Sequence, residues 1–283
     1  MILSPKKAER RPWEMLFIGL FYASLAVLLV NWIFAPDEVL VKYSGILIVT
    51  FTVMFSMPFM YYVIKLEEER NIKEIGFWNL LKEHNRALEA LLWLFLGFVI
   101  AFSFWYIVLP STHNFKAQVE TYCIINRPLN FNECVSQFDA QKTAKTTGAA
   151  TQSERLFRIF ANNIYVLIFT LVFSLIFGAG AIFVLAWNAS VIAAAVGIFT
   201  QSRLEQIPLG LARYMIHGIL EIAAYFVGAL AGGIISIAII KHDINSKKFW
   251  NILQDSLNLI IAAVVILFVA ALIEVFITPL FFV

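Results

Sequence analysis

The chain has 283 residues, of which 61% are apolar, 15% aromatic and only 14% charged. A soluble domain usually carries about 45–50% apolar and about 25% charged residues, so this excess, with a mean hydropathy of +0.81, exceeds what one soluble core can enclose. A soluble enzyme, a disordered chain and a disulfide-rich secreted module are excluded, and the net charge of +2, spread in small clusters, argues against a nucleic-acid partner.

A membrane-crossing helix needs about 20 mostly apolar residues. In chain order, residues 13–34, 44–64, 87–109, 159–186, 209–240 and 254–278 meet that length. The first run is longer than a signal-peptide core and lacks a small-residue cleavage site, so it reads as a span. Between the fourth and fifth runs lies a shorter one, 188–201 (NASVIAAAVGIFTQ), read as a thin seventh span or a re-entrant helix.

Basic residues set the direction. Lys6, Lys7, Arg10 and Arg11 precede the first run, and Lys65, Arg70, Lys73, Lys82 and Arg86 follow the second. Both stretches read as cytoplasmic. Lys241, Lys247 and Lys248 ask for the same side, which requires the 188–201 segment to cross. The expected fold is therefore an all-α polytopic transmembrane helix bundle of about seven spans, N-terminus inside and C-terminus outside. It is multi-pass and belongs in the cell (plasma) membrane.

Two polar stretches interrupt the spans. Residues 65–86 mix Leu66, Ile72, Ile75, Phe77, Trp78, Leu80 and Leu81 with charges, as in an amphipathic helix on the cytoplasmic surface. A solvated helical extension between the spans is the alternative. The 110–158 loop falls outside and holds Cys123 and Cys134. In an oxidising compartment they can close a short disulfide loop; otherwise they are free thiols. Their spacing is not that of a zinc site. The chain thus divides into a two-helix hairpin over 1–64, the interfacial segment 65–86, and a five-span core over 87–283 carrying the 110–158 loop.

Ionisable groups inside hydrocarbon are costly, so each needs a reason. Tyr214, His217, Glu221, Tyr225, Gly228 and Gly232 follow at steps of three or four and share one helix face. Glu274 sits in the last run, and Asn162 and Asn163 sit just inside the fourth. At 1.5 Å per residue, these polar groups fall at similar depth in the outer half of the bilayer, so His217, Glu221, Glu274, Asn162 and Asn163 are expected to form one intramembrane cluster. Gly228 with Gly232, and Gly178 with Gly180, are expected to let helices approach closely.

Three readings of the cluster stay open. It can be a hydrogen-bonded network that fixes helix register, a site for an ion, proton or lipid headgroup, or a metal-dependent hydrolase centre of two carboxylates and one histidine. No HExxH motif, nucleophile constellation, phosphate loop or dinucleotide fingerprint is present. The sequence therefore assigns no catalytic residue, no cofactor and no metal.

Four motifs together carry a family resemblance: F-x-N-N at Phe160–Asn163, Gly178-Ala-Gly180 leading to Asn188, H-G-x-x-E at His217–Glu221, and LIEVFITP at Leu272–Pro279. Over roughly 87–283 the chain resembles the stage II sporulation protein M family of integral membrane proteins. It departs at Ile216, where the family usually has Pro, and at Ala189, where Gly is frequent. The resemblance implies one span, an outer loop and four further spans, which supports seven spans here. It also implies a non-enzymatic scaffold or complex subunit whose partners are the bilayer and other membrane proteins, with homo-oligomerisation as an addition. The sporulation member works with single-span cell-wall-remodelling partners.

Overall fold

The computed structural model describes residues 11–34, 36–69, 77–109, 112–126, 130–139, 152–177, 181–200, 203–241 and 247–281. All regular structure among them is helical. The helices are α1 (Glu14–Phe34), α2 (Ser44–Glu69), α3 (Phe77–Val108), α4 (Lys116–Asn126), α5 (Phe131–Asp139), α6 (Gln152–Phe177), α7 (Ala181–Phe199), α8 (Ile207–Lys241), α9 (Lys247–Leu272) and α10 (Thr278–Phe281). A π turn, Ile273–Ile277, joins α9 to α10. Seven of these segments are long and apolar enough to cross a membrane: α1, α2, α3, α6, α7, α8 and the α9–α10 rod.

The spans form two packed groups. In the first, α1 crosses α3 where two glycines meet: a Cβ on Gly97 would stand 3.0 Å from the Gly19 Cα. Both backbones therefore touch directly, and Phe98, Phe102, Met15 and Leu94 close the core around them. In the second group α8 is clasped by α6 and α9. A Cβ on Gly232 would lie 2.8 Å from the Leu171 carbonyl oxygen of α6, and Gly228 is covered by the Leu167 side chain.

Helix α7 joins the groups and corrects the sequence reading. The run over 159–186 is not one span; α6 ends at Phe177, and Ala181–Trp187 opens α7, which has 19 residues. Hydropathy averaged over a span's length sets no boundary here, because the apolar runs ending at Phe177 and starting at Ala181 merge. Asn188 does not start the short helix either. Its amide donates 2.8 Å back to the Val184 carbonyl, inside α7. Far from marginal, α7 is deeply enclosed, with Ala186, Ala189, Ala193, Ala194 and Ala195 at most 4% exposed. Alanine lets neighbours come close on every side, which suits a central helix. Gly178 and Gly180 lie outside the described residues.

The polar stretches also resolve differently. Residues 65–69 prolong α2 and 77–86 begin α3; the apolar face expected there rests on side chains outside the described residues. Part of the 110–158 loop enters the bundle. Phe115 packs between Phe102 and Tyr106 of α3, and Asn114 donates 3.1 Å to Asn31 at the end of α1. Gln118 of α4 is fully buried and donates to the Gly45 carbonyl at 2.9 Å and to Ser190 Oγ of α7 at 3.2 Å. Cys123 and Cys134 are joined in a disulfide that ties α4 to α5. Both cysteines share a small buried cluster with Val119 of α4 and Ala194 of α7.

Candidate functional site: an intramembrane His–Glu–Glu cluster

Three spans converge near their ends on the face that carries α4 and α5. Helix α8 supplies His217 and Glu221, one turn apart and so on one side of the helix. Helix α6 supplies Asn163. The π turn supplies Glu274, with Thr278 one turn beyond. A π turn is wider than an α turn and is frequent at functional sites. Here the Thr278 hydroxyl takes up backbone slack by donating 3.2 Å to the Ile273 carbonyl.

The contacts are specific. Asn163 Nδ2 donates a 2.7 Å hydrogen bond to Glu221 Oε1. The phenol of Tyr225, one turn further along α8, donates 3.1 Å to Asn163 Oδ1 and so fixes the amide. His217 is 7% exposed. Its Nδ1 stands 3.3 Å from Thr278 Oγ1, and its Nε2 stands 3.9 Å from Glu274 Oε2. One ligand atom each from His217, Glu221 and Glu274 lies within 4.8 Å of the others. The Glu274 side chain keeps 25% of its surface accessible, so the cluster has an open edge.

Positive charge approaches from two sides, with Arg155 of α6 toward Glu274 and Arg213 of α8 toward His217. Tyr214, a turn before His217, hydrogen-bonds Tyr122 of α4. The cluster is thereby linked to the disulfide-tied pair. Two concavities are described elsewhere: a narrow apolar crevice beside Thr170 and Tyr225, and an open groove of about 430 Å³ around Leu25, Asn31 and Trp32. Neither is lined by His217, Glu221 or Glu274.

Four of the five expected residues meet. Asn162, about 100° further round α6 than its neighbour, takes no part in these hydrogen bonds. Sequence reasoning gave no role to Thr278, although its place one turn after Glu274 was the available signal. It missed Gln118 and Ser190 entirely, since a glutamine in a polar loop gives no sign of burial.

A bundle of seven apolar spans with polar groups turned inward defines a multi-pass helical membrane protein. Residues 82–279 match the model of the family described as stage II sporulation protein M. The chain belongs to that family. No curated protein and no solved structure is matched.

Proposed function

We propose that this protein is a non-enzymatic scaffold or subunit of a membrane protein complex in the plasma membrane, oriented with its N-terminus in the cytoplasm. The observation that supports this best is the platform made by α4 and α5. It is closed by the Cys123–Cys134 disulfide, seated on α7 through Ala194, and anchored by Gln118. A short helical pair held at so many points is rigid, and rigidity lowers the ordering cost of binding a partner. Its outward residues include Ile124, 58% exposed, with Asn132, Glu133 and Ser136. The basic clusters at 6–11 and 65–86 support a non-cytoplasmic location for this platform.

The test is photocrosslinking in native membranes from a reactive residue placed at Ile124 or Glu133. A discrete crosslinked band, from another membrane protein or a second copy, is expected at these positions and not at Trp32 on α1. Identical patterns at all three positions, or no crosslink at any, would count against the platform as the contact surface.

Ion or lipid-headgroup handling at the cluster is the second reading, favoured by the accessible quarter of the Glu274 side chain. It requires water to reach the site. A cysteine at Glu274 should react with a membrane-impermeant maleimide; complete protection would remove this reading.

A further inference from the structure

We propose that His217, Glu221 and Glu274 bind one divalent transition-metal ion that ties α8 to the α9–α10 rod. The proposal concerns binding only; it assigns no reaction and does not depend on the partner platform.

Donors held about 2.1 Å from a tetrahedral metal stand about 3.4 Å apart. The 3.9 Å between His217 Nε2 and Glu274 Oε2 is about 0.5 Å wider than that and beyond hydrogen-bond range. The ring is buried; Nδ1 is engaged by Thr278, which leaves Nε2 turned toward the Glu274 carboxylate. An ion between the three groups would bind it there. The full set, within 4.8 Å, closes by up to about 1.4 Å, through rotation of the two glutamate side chains, to reach such bond lengths.

Surrounding groups hold the donors as metal sites require. A ligating histidine usually engages its second ring nitrogen, which fixes the tautomer and the ring's orientation. His217 Nδ1 does so with Thr278 Oγ1 at 3.3 Å. A ligating carboxylate is likewise hydrogen-bonded on its outer side. Glu221 receives Asn163, which in turn receives Tyr225. The π turn brings Glu274 and Thr278 onto His217 from the opposite helix.

Charge balance points the same way. Two carboxylates in hydrocarbon are expensive when ionised; a divalent cation held directly between them would offset their charge more closely than Arg155 and Arg213, which act from the flanks. One imidazole with two carboxylates suits zinc, manganese or ferrous iron better than magnesium or calcium, which prefer oxygen alone. The exposed quarter of the Glu274 side chain is the edge from which a fourth ligand and the ion would come.

The test uses the full chain in lipid nanodiscs, stripped with a chelator, equilibrated with Zn²⁺ and in parallel with Mn²⁺, then desalted. His84, His113 and His242 can pick up adventitious metal, so the readout is the difference between wild type and the variants H217Q, E221Q and E274Q. Each variant should lose about one ion per chain. The zinc absorption edge of wild type should show imidazole nitrogen and carboxylate oxygen, and H217Q should lose the imidazole signal. Equal metal in wild type and all variants would overturn the proposal, as would no metal in wild type. Should a variant fail to fold, the wild-type edge spectrum still decides, since a spectrum without imidazole contradicts the site.

Discussion

Asn163 and Glu221, 58 residues apart on α6 and α8, are joined by a 2.7 Å hydrogen bond from the amide to the carboxyl oxygen. No other side-chain hydrogen bond reaches Glu221 among the described residues. Removing Asn163 therefore leaves a polar group in a low-dielectric site without its partner, at a cost of about 1–3 kcal/mol. Asn163→Leu should lower the thermal midpoint in detergent, whereas Asn162→Leu should change it little. Equal effects of the two substitutions would mean that the bond does not hold α6 to α8.

Adjacent glycines on α8 give a sharper contrast. A Cβ on Gly232 would press on the Leu171 backbone oxygen at 2.8 Å, whereas one on Gly233 would meet nothing within 4 Å. Backbone cannot rotate aside as a side chain can. Gly232→Ala should destabilise by about 1–3 kcal/mol through overpacking; Gly233→Ala should be neutral or slightly stabilising, because alanine favours the helix. Unfolding of the two variants under identical detergent conditions distinguishes them.

The Cys123–Cys134 bond closes a loop with a sequence separation of 11. Cross-links of that length restrict the unfolded chain and are worth about 2–4 kcal/mol. Reductant should therefore lower the melting midpoint of the wild type and leave the C123S/C134S variant unchanged. Alkylation before and after reduction should show two thiols released together.

Asp37, in the turn after α1, accepts hydrogen bonds at 2.8 Å from the amides of Val39 and Leu40. These bonds, chiefly that from Leu40, hold its carboxyl below the usual carboxylate range. A lowered value in the folded state means that the carboxylate supports this turn at neutral pH. The support is lost as pH falls through the folded value. Hydrogen exchange at Val39 and Leu40, after correction for the intrinsic pH dependence, should be more protected at neutral pH than in acid, and Asp37→Ala should abolish the difference.

How much was legible in the sequence depended on the kind of signal. The count of seven spans followed from where Lys241, Lys247 and Lys248 must lie, because charge bias acts over whole loops. The boundary between α6 and α7 was misplaced because the apolar runs ending at Phe177 and starting at Ala181 merge when averaged over a span's length. The convergence of His217, Glu221 and Glu274 followed from helical period and depth, since 1.5 Å per residue converts position into height. Period alone could not show that Asn163 faces the cluster and Asn162 does not, nor that a π turn would carry Thr278 onto His217. The seating of Gln118 between Gly45 and Ser190 had no local signature, because it depends on three distant segments.

The most direct measurement is native mass spectrometry of the protein extracted from its own membrane with surrounding lipid. A complex of defined stoichiometry is expected, in which the 32.1 kDa chain is accompanied by another membrane protein or by further copies of itself. A solitary 32.1 kDa chain carrying only lipid, under conditions that preserve known complexes, would contradict the role as a complex subunit.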